Sequence, residues 1–178
     1  ELKETWDACV ERSANGTFLF KRNYMEYHAH RFVDFSLMIY CKGKLMALLP
    51  ASLHNDEITS HGGLTYGGFI TSAEVSSTQL LDIFKSTAQF LKEQGIAMWN
   101  YKPVPHIYHT YPHDSEQYAL YQLGAERVAC NLSSTIDLTS PLRYSELRRR
   151  GIKRAQKSGV TIHKSNDFAP FWSVLEDN

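Results

Sequence analysis

The chain of 178 residues has few cysteines, no long apolar run and no net excess of charge of either sign. Its three cysteines are far apart and show no Cys-x-x-Cys spacing, which argues against a disulfide framework. We therefore expect free, buried thiols in a reducing compartment. No run of about 18 apolar residues is present, so the sequence predicts no membrane span. Since 43% of the residues are hydrophobic and 21% are charged, we expect a cytoplasmic globular protein.

The neutral net charge conceals an uneven distribution of charge along the chain. Eight of the 19 Lys and Arg residues lie between positions 143 and 164, with Glu146 as the one acid among them. The rest of the chain carries 11 basic and 18 acidic residues. A local excess of positive charge of this kind attracts anions such as phosphates.

Periodicity and turn residues predict an α+β chain. We predict helices over 2–14, 22–30, from Ser76, Ser77 or Thr78 to Gln94, over 114–123 and over 141–158. The predicted strands are 34–41, 45–53, 57–70, 96–101, 125–138 and 160–163. Because the sheet begins as an antiparallel hairpin at Lys42-Gly43 and continues through helical crossovers, we expect it to be mixed, with helices on both faces. Element type and charge change near position 139, which predicts a first domain over 1–139 and a junction segment over 140–178.

This order of elements resembles the GNAT acyltransferase fold, and the basic segment resembles one group of GNAT relatives. The positions that match the Arg-x-x-Ile-Lys-x-Ala-x-x-x-Gly-Val segment of Fem-like N-acyltransferases are Arg149, Ile152, Lys153, Ala155, Gly159 and Val160. The segments 61–69 and 118–128 are similar to stretches of their first domain. Fem-like proteins carry two GNAT-like domains in tandem. The resemblance thus implies the N-terminal GNAT-like domain of a bacterial protein, with a second GNAT-like domain as its partner.

The resemblance also implies an activity, namely transfer of an acyl or aminoacyl group to an amine. The donor would be acyl-CoA or an aminoacyl carrier in the full-length protein, and the acceptor a small anionic molecule resembling a peptidoglycan precursor. A GNAT protein that binds acyl-CoA usually has a glycine-rich turn before its long helix. Here the turn 67–79 has no glycine after Gly68, so we expect no cofactor in this chain and no activity of this piece alone. No residue of this sequence matches a position at which those proteins carry a catalytic base.

The basic helix is the first candidate for substrate binding. Guanidinium groups offer paired donors to phosphates and carboxylates. The predicted acceptor-binding residues are Arg149, Arg150, Lys153, Arg154 and Lys157. A solvated helix that docks against an acidic second domain remains an equal interpretation, and the alternative function is a non-catalytic GNAT-like interaction or anion-binding module. Nucleic acid is not expected as a partner, because no aromatic platform alternates with the basic residues.

Four further residues are candidates for contacts with substrate. His61 and Tyr66 belong to the glycine-rich segment, where glycines indicate either the close approach of a ligand or a bulged strand without one. His106 and Tyr108 belong to the loop after the strand 96–101, on the face where mixed sheets open their clefts. The histidines of that loop show no spacing typical of a zinc site, so no metal is expected.

Overall fold

The structure is a computed structural model that describes residues 1–27 and 29–177. The chain divides into two compact units, the first from Glu1 to Val128 and the second from Ala129 onward. The helices of the first unit are α1 (Leu2–Arg12), α2 (Arg22–Glu26), α3 (Ser77–Glu93) and α4 (Ser115–Gln122). Its strands are β1 (Val33–Asp34), β2 (Leu37–Cys41), β3 (Lys44–Leu49), β4 (Ser52–His54), β5 (Glu57–Thr59), β6 (Ile70–Thr71) and β7 (Met98–Asn100). The helices of the second unit are α5 (Glu146–Lys157) and α6 (Ala169–Glu176).

The strands of the first unit form two sheets. One is antiparallel and has the order β2-β3-β6. The other has the order β1-β4-β5-β7, in which β5 and β7 run parallel while the remaining pairs are antiparallel. The predicted α+β class with a mixed sheet and helices is therefore confirmed. Across the described residues, no helix is both long enough and apolar enough to span a membrane.

The hairpin of β2 and β3 turns at the predicted dipeptide. Lys42 and Gly43 have φ angles of 48° and 79°, and both therefore lie in the left-handed region. A two-residue turn with both central residues in this region matches the twist of the flanking strands. The hairpin pairs Cys41 with Lys44 and continues to Leu37 opposite Leu49, with an irregularity between Ile39 and Tyr40.

Pro50 divides the segment that the sequence predicts as one strand over 45–53. Proline has no N–H to donate to a sheet, and the chain leaves the first sheet after Leu49 and enters the second at Ser52. Backbone hydrogen bonds hold the crossing, because the N–H of Phe35 donates to the carbonyl of Ala51 at 2.9 Å. The Ser36 hydroxyl also accepts from the Ala51 N–H at 3.2 Å.

The strand β3 lies between two groups of buried side chains. Leu48 packs with Trp6, Phe20 and other residues near the N-terminus, whereas Ala47 and Leu49 pack with the side of α3 that carries Phe84. Its nearly continuous apolar sequence predicts coverage of both faces, and the structure confirms it.

The side chain of Asn15 joins the end of α1 to the segment that precedes the first turn of α3. It is 3% exposed, its Nδ2 donates to the Phe69 carbonyl at 2.8 Å and its Oδ1 accepts from the Thr71 N–H at 3.1 Å. A single amide thus pairs with two backbone groups as a neighbouring strand would. This fixes residues 69–71, which lie beside the candidate site.

The strands predicted over 125–138 and 160–163 are wrong. The described residues after Asn100 include no strand. Leu132 and Ile136 are exposed, although their alternating pattern favours a strand with one buried face. A strand requires a neighbour for its backbone N–H and C=O groups, and no described strand pairs with this segment. The helix predicted over 22–30 ends at Glu26, and position 28 lies outside the described residues.

The expectation of three buried thiols is also corrected. Cys9 is buried on α1, but Cys41 and Cys130 are exposed. Cys41 ends the strand β2 next to the hairpin turn, where its side chain meets solvent. All three thiols are free.

Candidate functional site

The basic helix α5 begins later than the sequence predicts. The sequence predicts a start at Ser140-Pro141, whereas the helix starts at Glu146 after the N-cap residue Ser145. The Ser145 hydroxyl accepts from the Arg148 N–H at 3.4 Å, and Glu146 places a negative charge in the first turn. Arg143, which falls inside the helix predicted over 141–158, therefore lies before α5.

All five predicted cations of α5 are exposed: Arg149, Arg150, Lys153, Arg154 and Lys157. Arg150 donates from Nη2 to the Glu146 carboxylate at 2.5 Å, an i,i+4 pair in which both side chains are more than half exposed. Exposed pairs of this kind contribute little to stability. Within residues 1–27 and 29–177, no ion pair involves the other four cations. The positive charges of these four predicted residues are thus available to an anion in solution.

The glycine-rich segment 61–69 is a turn between β5 and β6, not a continuous strand. The close approach of the Ser60 backbone requires glycine at position 67, because a Cβ there would lie 2.6 Å from the carbonyl oxygen of Ser60. His61 is 3% exposed and has a left-handed φ of 44°. His61 is therefore an interior residue of this turn.

Tyr66 and Tyr108 are the predicted binding residues that the structure brings together. Their rings stack with centroids 5.0 Å apart, and the Tyr66 hydroxyl donates to the hydroxyl of Thr17 at 3.4 Å. Burial raises the pKa of Tyr66. Tyr66 is buried, whereas Tyr108 and His106 are exposed on a short 3₁₀ turn over His106–Tyr108. Tyr108 is therefore the member of this pair that solvent reaches.

Lys102 holds the glycine-rich turn and was missed by the sequence analysis. Its ammonium donates to the carbonyls of Leu64 at 2.8 Å and His61 at 3.3 Å. Burial lowers the pKa of Lys102. The residue lies just after β7, where a lysine is easily taken for a solvated loop residue, so only the tertiary contacts indicate its role.

A buried acid and a phenol form the second arrangement that the sequence analysis missed. Glu116, in the first turn of α4, is 7% exposed and accepts a short hydrogen bond from the Tyr101 hydroxyl. That hydroxyl in turn accepts from the Phe69 N–H at 2.8 Å. Burial raises the pKa of Glu116 to about 7, and the bond from Tyr101 acts in the opposite direction. Burial and the nearby carboxyl raise the pKa of Tyr101 well above its ordinary value.

A sequence signal for Glu116 does exist. Positions 116, 119 and 120 are spaced i, i+3 and i+4, and Ala119 and Leu120 lie on the packed side of α4. An acid on that side must be buried, and buried acids with a raised pKa are candidates for proton-transfer chemistry. The periodicity of α4 therefore could have indicated Glu116.

A cleft of about 260 Å³ lies between the starts of α3 and α4. The hydroxyls of Ser77 and Ser115 bridge the two helices at 2.7 Å. The residues that line the cleft are Thr71, Ala73, Val75, Ser76, Ser77, Leu80, Tyr111, His113 and Ser115. Ser115 adjoins the buried Glu116 in the sequence.

The loop between β7 and α4, which carries His109 and His113, forms one side of this cleft. The rings of His109 and His113 lie 4.9 Å apart between centroids, and His109 Nε2 contacts the Val104 carbonyl at 3.2 Å. Burial, followed by the neighbouring His113, lowers the pKa of His109. No group of three or more His, Cys, Asp or Glu side chains suited to a metal ion occurs in the part of the chain that the structure describes.

No family model matches this chain, and searches of curated proteins and of solved structures find no similar protein. The assignment of function therefore depends on the residues described above and on the resemblance in sequence pattern.

Proposed function

We propose that this chain is the acceptor-binding, N-terminal part of a Fem-like N-acyltransferase of the GNAT type. The observation that carries the proposal is the set of cations on α5, which are exposed and, apart from Arg150, without an acidic partner in the described residues. An amine acceptor that bears phosphate or carboxylate groups would bind to this helix through charge-assisted hydrogen bonds.

The architecture of the first unit is compatible with this proposal. An antiparallel hairpin, a long helix, a strand and a further helix follow one another, and the sheet that contains β7 is mixed. These features belong to many α+β folds, so they support the GNAT proposal at the level of class. The basic segment with Arg149, Ile152, Lys153 and Gly159 supports the Fem-like proposal at the level of motif.

The acyl donor is proposed to bind outside this chain, in a second GNAT-like domain. The turn before α3 contains Ala73 and Val75 and no glycine after Gly68. Side chains at these positions hinder the close backbone approach that a pyrophosphate requires. We therefore expect no measurable binding of acetyl-CoA to this chain by calorimetry, and tight binding would contradict the proposal.

The reaction follows from general acyl-transfer chemistry. The amine nitrogen of the acceptor attacks the carbonyl carbon of the thioester or aminoacyl ester, a C–N bond forms, and the bond to the sulfur or oxygen leaving group breaks. The amine proton passes to a base. The contribution of this chain is to hold and orient the acceptor, which lowers the entropic part of the barrier. No catalytic base is assigned.

Binding of a nucleotide-linked sugar tests the role of α5. We expect the intact chain to bind a uridine diphosphate sugar, and the Arg149→Gln, Lys153→Gln double variant to bind it about tenfold or more weakly, because two charge-assisted contacts are lost. Calorimetry at two salt concentrations measures the effect. The control is Arg127→Gln, which removes an exposed arginine of the first unit. Equal affinity of the double variant and the intact chain would contradict the proposal.

The second candidate function is a non-catalytic GNAT-like module for anion binding or protein interaction. The observation that favours it is the absence of any glycine after Gly68 in the turn before α3. In the interaction form of this proposal, charge reversal at Arg150 and Lys153 breaks assembly and leaves binding of pyrophosphate unchanged. Analytical ultracentrifugation with a parallel pyrophosphate titration separates it from the first proposal.

A further inference from the structure

Glu116 is held at a position where its charge state matters for the packing of α4. Its carboxyl lies in the first turn of α4, and among the described residues it accepts a hydrogen bond from the Tyr101 hydroxyl. That hydroxyl is fixed from the other side by the Phe69 N–H. Gly68 approaches both groups closely, since a Cβ there would lie 2.9 Å from Tyr101 Oη and 3.0 Å from Glu116 Oε1.

No cation compensates the Glu116 carboxyl in the described part of the chain. The segment 67–69 presents backbone groups and no titratable side chain to the Glu116 carboxyl. Just after the end of β7, Tyr101 presents its hydroxyl to the same carboxyl. The helix α3, which packs on α4, has its charged side chains exposed: Asp82, Lys85, Lys92 and Glu93. On the side of α4 itself, Asp114 is exposed and His113 is half-buried. An ionised Glu116 would therefore be stabilised in this position by the hydrogen bond from Tyr101, and any further stabilisation would come from water.

We propose that the first turn of α4 is a proton-operated latch on the cleft between α3 and α4. With Glu116 neutral, the turn stays closed on Tyr101, and the Ser77–Ser115 bridge keeps the two helix starts together. When Glu116 releases its proton to solvent, the carboxylate draws water and the turn moves away from Tyr101. The cleft wall formed by Ser77, His113 and Ser115 then opens. The latch belongs to the first unit and does not rest on the proposed function of α5.

The direction of the pH dependence follows from the two states of Glu116. Its pKa is about 7 in the closed turn, against an ordinary value of 4.5 for a hydrated glutamate. Because the closed turn binds the proton more tightly, its stability is complete below pH 4.5. That stability is lost progressively as the pH rises toward 7, and it changes little above this value.

Hydrogen exchange of the α4 amides tests the latch. In the intact chain, the Tyr118 N–H donates to the Asp114 carbonyl at 3.0 Å and closes the first turn of α4. We expect the protection of this amide, corrected for intrinsic exchange, to fall about tenfold per pH unit between pH 5 and 7 and then to level off. Glu116→Gln keeps an acceptor for Tyr101 but has no proton to lose, so its protection stays constant with pH. The control variant Glu126→Gln removes an exposed carboxyl and should keep the slope of the intact chain.

Two outcomes overturn the latch. One is a slope in Glu116→Gln equal to that of the intact chain. The other is the same slope in the amides of α1 and β3, which would show that Glu116 acts on global unfolding instead of on α4. If Glu116→Gln does not fold, ¹³C titration of the Glu116 carboxyl in the intact chain decides the question. A midpoint near 7 that coincides with the change in α4 supports the latch, and a midpoint near 4.5 contradicts it.

Discussion

Gly68 shows how a single residue supports the buried acid and phenol. Its φ of 79° lies in the left-handed region, and its missing side chain leaves room for Tyr101 Oη and Glu116 Oε1. Both requirements point to glycine, one through the backbone and one through the neighbouring side chains. The two effects are separable, because Gly124 has a similar φ of 70° but nothing within 4 Å of its would-be Cβ.

Alanine substitutions at the two glycines measure these effects. Gly124→Ala should lower the free energy of unfolding by about 1 kcal/mol, the cost of a left-handed alanine. Gly68→Ala should lower it by about 2–4 kcal/mol, because the added Cβ also displaces the Tyr101 and Glu116 oxygens. Urea denaturation monitored by tryptophan fluorescence gives both values. Equal losses for the two variants would show that the site relaxes around the new methyl group.

The start of the long helix α3 is determined by its own local sequence. Ser76, Ser77 and Thr78 were all candidates for its N-cap, and the structure selects Ser76. The Ser76 hydroxyl accepts from the Gln79 N–H at 3.3 Å, and the Gln79 side chain accepts from the Ser76 N–H at 2.9 Å. This reciprocal pair needs a Gln or Glu three residues after the cap, and of the three candidates only Ser76 has one.

Removal of this cap has a predictable cost. Ser76→Ala should lower the free energy of unfolding by about 1 kcal/mol, because the Gln79 N–H loses its acceptor. Ser86→Ala, at an exposed position inside α3, should be neutral or slightly stabilising, since alanine is the better helix former. Chemical denaturation of both variants checks the pair. A loss in Ser86→Ala as large as that in Ser76→Ala would contradict the capping argument.

In the segments that precede α5, by contrast, the local sequence pattern does not determine the structure. Residues 125–138 alternate over part of their length in a way that is typical of a strand, and 140–145 begin with a Ser-Pro pair that is typical of a helix start. Neither element is present, since the helix starts at Glu146 after Ser145. Local pattern describes which structure a segment could adopt, whereas pairing and packing partners decide whether it does.

Across the whole molecule, the three thiols differ in accessibility. Cys9 is buried on α1, and burial raises the pKa of its thiol despite the nearby Arg12. Cys41 and Cys130 are exposed. A thiol reacts with an aromatic disulfide reagent as its thiolate, so burial and a raised pKa both slow the reaction of Cys9.

Titration with such a reagent should resolve the two classes. We expect Cys41 and Cys130 to react rapidly in the native protein and Cys9 to react only as the protein unfolds. Cys9→Ser should remove the slow phase and leave the fast phase unchanged, whereas Cys41→Ser should halve the fast phase. Three thiols of equal rate in the native protein would contradict the burial of Cys9.

The α+β class, the Lys42-Gly43 turn, the cap region of α3 and the concentration of cations at α5 follow from the sequence itself. Each depends on the residue types within a few positions of one another. The chain crossing at Pro50, the exposed thiols, the turn held by Lys102 and the pairing of Glu116 with Tyr101 were decided by tertiary structure. These features join residues that are distant along the chain, and the pKa of a carboxyl depends on the water and the partners that folding removes or supplies. The sequence alone therefore determined which charges the protein carries, and the fold decided which of them meet solvent.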